Sequence, residues 1–80
     1  MPQYPAIALI EFGSIAVGMH ASDAMLKRAP LAMVKAGTVH RGKYIVLVGG
    51  STGAVRESYD EGLRAGGDDV IDSVMLPKEM

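Results

Sequence analysis

Eighty residues make one domain, and a chain this short buries only about 60% of the surface that its unfolded form exposes, so it draws stability from a staple or from neighbours. With no cysteine, there is no disulfide, no thiolate metal site and no cysteine-ligated iron–sulfur cluster; oligomerisation is the remaining staple, and a hydrophobic content of 49% with a mean hydropathy of +0.20 fits apolar surface placed in subunit contacts. A net charge of -1 and a pI near 6.0, without a basic stripe, exclude a general nucleic-acid or membrane-surface binder.

The opening MPQYPAIALIEFG lacks a basic n-region, and its apolar run is too short for a signal-peptide core or a membrane span, so a cytoplasmic location is expected. Ala6 to Phe12 reads as a short buried strand behind Pro5. Ser14 is the expected N-cap of a helix whose small and apolar face recurs at Ile15, Gly18, Met19, Ser22, Met25, Leu26 and Ala29. Asp23 and Lys27 pair at i, i+4 on its outer side, and Pro30 stops it.

Leu31 to Thr38 and Lys43 to Gly49 read as the second and third strands. Only Val39-His40-Arg41-Gly42 separates them, which permits an antiparallel hairpin and forbids a parallel crossover. Ser51 or Thr52 caps a second helix running to Arg64, with Ala54, Val55, Ser58, Gly62 and Ala65 on a small-residue face and Gly66-Gly67 as its C-cap pair. Val70 to Leu76 forms the last strand. The order is β-α-β-β-α-β, an α/β (α+β) ferredoxin-like arrangement: a four-stranded antiparallel sheet with both helices on one face and the other face uncovered. Residues 5–77 form the domain, and 1–4 and 78–80 are terminal extensions.

Two stretches invite a chemical reading. Gly49, Gly50, Ser51, Thr52 and Gly53 look like a dinucleotide cradle, in which glycines let the backbone approach a pyrophosphate at a helix N-terminus. That fold needs parallel strands on both sides of the motif, and here the preceding strand belongs to a hairpin. The reading preferred is a tight strand-to-helix turn that uses glycine backbone angles, with nucleotide binding as the alternative. The turn Val39-His40-Arg41-Gly42 sets a titratable imidazole beside a permanent cation. In a monomer it is a solvated turn; with several copies meeting at these tips, it becomes a ring that selects anions, responds to pH, and can offer several His40 side chains to a transition metal. His20 reads as a boundary histidine. Glu57, Asp60 and Glu61 share a solvent-facing side of the second helix, the six methionines read as packing filler, and no nucleophile–base pair supports catalysis.

Taken in order, AIALIEF, SDAMLKRAP, the short turn before GKYIVLVGG, and STGAVRESYDEGLRAG resemble the bacterial microcompartment shell proteins over residues 6 to 76, and most of all the first half of the tandem, trimer-forming members of propanediol-utilising compartments. The resemblance implies a structural protein, not an enzyme: a tile of six-fold or pseudo-six-fold symmetry in a microcompartment shell. Such a tile meets other shell proteins at its edge and passes small metabolites through a central pore. By motif position, Lys27, with Asp23 and Arg28 around it, falls at the tile edge, and Val39, His40, Arg41 and Gly42 line the pore. Similar tandem members hold an iron–sulfur cluster by a cysteine at the position of His40. This chain has histidine there, so the expectation is no cofactor, with a metal on His40 or an anion on the axis as the open possibilities. Most single-domain members continue past the last strand with an Arg-containing segment and a further helix, whereas this sequence stops at LPKEM. Its partners are then either further copies of itself in a homohexamer or a second chain of the same domain type.

Overall fold

Every second side chain of β1 (Ala6–Phe12) is buried, Ala6, Ala8, Ile10 and Phe12 in turn, which is the two-residue period of a strand covered on one face. The computed structural model describes residues 4–77, so the expected extensions lie outside the described residues except at Tyr4. α1 (Ile15–Arg28) follows, capped by Ser14, whose Oγ accepts a hydrogen bond from the Val17 N–H at 3.2 Å. Ala29, in extended conformation ahead of Pro30, ends it. β2 (Met33–Val39), a tight turn (His40–Gly42) and β3 (Lys43–Gly50) make the hairpin, and α2 (Thr52–Gly66), a 3-10 turn (Gly67–Asp69) and β4 (Val70–Leu76) complete the described chain.

All strand pairs are antiparallel in the order β2-β3-β1-β4, as the split pattern requires. Both helices pack on the face that carries Ile10, Phe12, Val46 and Val48, all fully buried, and Val55 and Met25 fill the space between the layers. Burial of each such side chain stabilises the fold by about 1.5–3 kcal/mol. The helices approach closely because their contact is built from small residues: Ala21 and Ser22 on α1, Ser58 and Gly62 on α2. Ser58 donates its hydroxyl to the Met25 carbonyl at 3.2 Å, which satisfies a polar group that burial would otherwise penalise.

Four expectations need correction. β2 starts at Met33 and ends at Val39, because the ladder proper opens where Met33 meets Gly49; only the Ala32 N–H, donating to the Gly49 carbonyl at 2.9 Å, precedes it. α2 runs on to Gly66, which stays in right-handed helical geometry against Phe12 and Val70, so Gly67 alone, at φ 52°, ends the helix. On α1, Met19 and Leu26 stay outside the core while Ala21 enters it: the buried line is narrower than the apolar period suggests. His20 is exposed and not at the boundary of the core.

Candidate functional site

The β2–β3 hairpin is closed by the pair Val39–Lys43, and its turn leaves His40, Arg41 and Gly42 exposed to solvent. Arg41 adopts φ 69°, ψ 30°, and Gly42 follows at φ 75°. Glycine takes the left-handed region freely; an arginine there costs roughly 1 kcal/mol. The tip therefore holds an exposed cation, with Lys43 two residues behind it.

α1 leaves the hairpin end of the sheet and runs away from it, so its last turn sits at the opposite end. Lys27 Nζ lies 2.9 Å from Asp23 Oδ2, both largely exposed, and Arg28 Nε lies 3.7 Å from Glu57 Oε1 on α2. The seven residues of β2 separate this charged cluster from the hairpin tip by roughly 20 Å. Asp23, Lys27 and Arg28 thus form one group and Val39 to Gly42 another, at opposite poles of the domain. An arrangement of copies that brings one pole to a common axis sends the other to the rim.

The glycine turn after β3 is already filled by the chain itself. A Cβ on Gly49 would lie 3.1 Å from the Met33 methyl and from the Tyr4 ring, and one on Gly50 would lie 3.1 Å from the Ala32 backbone nitrogen. Close approach requires glycine at both positions, and Gly50, at φ 158°, also takes a backbone angle that side-chain-bearing residues rarely adopt, as expected of this turn. Ser51 caps α2 by accepting from the Ala54 N–H at 3.2 Å, and β3 is antiparallel to both its neighbours. The parallel framework of a dinucleotide fold is missing from the described residues, and the backbone a pyrophosphate would approach is covered.

Among the described residues, no three His, Asp or Glu side chains converge in a way that could hold a metal, so His40 offers one ligand per copy. None of the described helices is long and apolar enough to cross a membrane. Sequence reasoning missed the strained backbone of Arg41, which no residue type announces. It also missed Lys43, which pairs with Val39 at the base of the tip on the uncovered face, and Lys35, four residues back along β2 on the same face; simple alternation from Val39 would have found them.

A BMC domain model matches residues 6–79. The bacterial microcompartment shell protein PduT of Citrobacter freundii is 42% identical over 72 residues, covering 90% of this chain and 39% of that protein. Among solved structures, a microcompartments protein from Desulfitobacterium hafniense DCB superposes with a TM-score of 0.85 at 43% identity, over 90% of this chain and 40% of that one. The chain spans about two fifths of the length of each of these relatives.

Proposed function

This chain belongs to the BMC domain family, and from that premise we propose that it is a structural tile of a bacterial microcompartment shell, located with that shell in the cytoplasm, and not an enzyme. Copies of it, alone or alternating with a second BMC domain, close into a flat ring of six domains whose hairpin tips meet at the axis. Val39, His40, Arg41 and Gly42 line the opening, and Asp23, Lys27 and Arg28 stand at the rim, where neighbouring tiles and other shell proteins meet.

The observation that carries this reading is the separation of the two charged groups to opposite ends of α1 and β2, since a tile needs its pore and its edge at opposite poles of each subunit. Six Arg41 guanidiniums around one opening favour the passage or binding of small anions. His40 adds an imidazole to the opening, and several copies together could hold a transition metal where one copy cannot. No resident cofactor is assigned, since the cysteine that would hold an iron–sulfur cluster at this position is replaced by His40. Single-channel conductance of assembled rings tests the pore: Arg41→Ala is expected to cut anion selectivity and His40→Ala to alter anion conductance or affinity. Rings whose conductance ignores both substitutions contradict the reading.

A further inference from the structure

The face of the sheet that carries no helix has an order of its own. Its side chains stand in rungs across β2, β3, β1 and β4: Lys35, Leu47, Leu9 and Val74 on one, then Gly37, Ile45, Glu11 and Asp72 on the next toward the hairpin. Ile7, Val74 and Leu76 are 36%, 37% and 43% exposed on this face, and with the half-buried Leu9 and Leu47 they make one apolar field. Both described helices lie on the other side of the sheet, and the Tyr4 ring stands over Gly49 at the end away from the hairpin.

Charge is divided across this field. Lys35 on β2 and Lys43 on β3 stand on one half, Glu11 on β1 and Asp72 on β4 on the other. Among the described residues, none of these four enters a salt bridge. Glu11 and Asp72 are moreover directly opposite each other in the β1–β4 ladder, where Asp72 Oδ1 accepts the Ser73 N–H at 2.9 Å. Like charges in that position destabilise a sheet, and no ion pair within the described chain answers them. A cation from outside would.

We propose that this face packs on the same face of a second copy, about a two-fold axis parallel to the strands and midway between β3 and β1. That operation lays β2 over the partner's β4 and β3 over the partner's β1 at equal heights, so each basic half meets an acidic one. Lys35 then stands one rung, about 7 Å, from the partner's Asp72. The next position on its own strand and face is Gly37, where an added Cβ would meet nothing within 4 Å, so the lysine stem can lie along β2 toward that carboxylate. Lys43 stands one rung from the partner's Glu11, from the hairpin side. The other two-fold in the plane of the sheet, across the strands, would lay the lysine half on the lysine half and is rejected by repulsion. The apolar field gives affinity, as in aligned sheets packed about 10 Å apart, and the charges choose the orientation, because exposed pairs add little energy but penalise wrong pairing. Pairing of faces needs only two copies. Its larger consequence rests on the ring proposed above: with the sheet lying in the plane of that ring, strands and two-fold both run from axis to rim, and two rings stack face to face in register with dihedral symmetry.

Native mass spectrometry of the full chain at low ionic strength counts the copies, and two double variants, established as folded by circular dichroism, test the face. Lys35→Glu with Lys43→Glu makes the whole face acidic, and Glu11→Lys with Asp72→Lys makes it basic; should Glu11→Lys prevent folding, Asp72→Lys alone carries the same test. The unaltered chain is expected as a doubled ring of twelve copies. Each variant alone is expected to stay as single rings, with the dissociation constant between rings raised about tenfold or more, and mixing the two is expected to restore twelve copies as one ring of each kind. Raising the salt is expected to weaken the unaltered stack and to relieve the block in each variant. An unaltered chain that stops at six copies, doubled rings indifferent to the swaps, or a mixture that stays at six overturns the face contact and leaves the ring standing. A dimer that the swaps dissociate and mixing restores keeps the face contact and removes the ring; a monomer, or a dimer indifferent to the swaps, overturns both.

Discussion

Arg41 carries a side chain in a backbone region that suits glycine, and Gly42 beside it shows what the turn would tolerate. Arg41→Gly should therefore stabilise the fold by about 0.5–1 kcal/mol, read as a higher denaturant midpoint at fixed protein concentration, while weakening anion binding by the assembled ring. An unchanged or lower midpoint would mean that the guanidinium makes stabilising contacts that outweigh its backbone cost. Gly18 illustrates the opposite case. A Cβ there would lie 2.5 Å from the Tyr44 Cβ, close to two backbones that have little room to separate, so Gly18→Ala should destabilise by about 1–3 kcal/mol. Gly53 has nothing within 4 Å and no such demand; Gly53→Ala should be close to neutral or stabilising.

At the scale of elements, the second helix combines a serine cap, a glycine stop and the local Glu61–Arg64 ion pair. The Glu61 carboxyl is held below the usual carboxylate range, first by its hydrogen bond from Arg64. A carboxylate whose folded value is depressed stabilises above its unfolded value and loses that contribution as the pH falls through the folded one. Acidification should thus remove the Glu61 contribution in the acid range, and Arg64→Ala should raise the Glu61 titration midpoint in an NMR titration; an unmoved midpoint would deny the pair its role. Much of the element order was legible because its parts carry marks: a short apolar run behind Pro5 in Ala6–Phe12, β-branched density in Lys43–Gly50, and serine caps ahead of both helices. The hairpin followed from the shortness of its turn. What stayed illegible depends on neighbours across the fold. Met19 and Leu26 fall at the margin of the broad apolar face that the sequence suggests for α1, about a quarter turn from the Gly18–Ser22–Met25 line, and only the seating of α1 over β3, clear of β2, decides that they remain outside. The glycines at 49 and 50 look like a ligand cradle until Tyr4, Met33 and Ala32 are seen to occupy it.

For the molecule as a whole, the sheet is sided. Ile7, Val74 and Leu76 are partly exposed on the face without helices, and Met19 and Leu26 are exposed on α1. A domain of this size that leaves large hydrophobic side chains on several surfaces gains from being surrounded, which is what a ring within a sheet of rings provides. The rim group belongs to the same scale. Lys27→Ala should leave single rings intact, because its Asp23 pair is exposed and weak, yet reduce the ordered area of rings assembled on a grid; undiminished sheets would remove Lys27 from the edge. The most direct test uses the absence of cysteine from the native chain. Spin labels attached through His40→Cys in one sample and Lys27→Cys in another report the distance between copies within a dispersed assembly. Convergence on the axis predicts a strong dipolar coupling at position 40 and a longer distance at position 27; the reverse order, or no coupling at position 40, contradicts it.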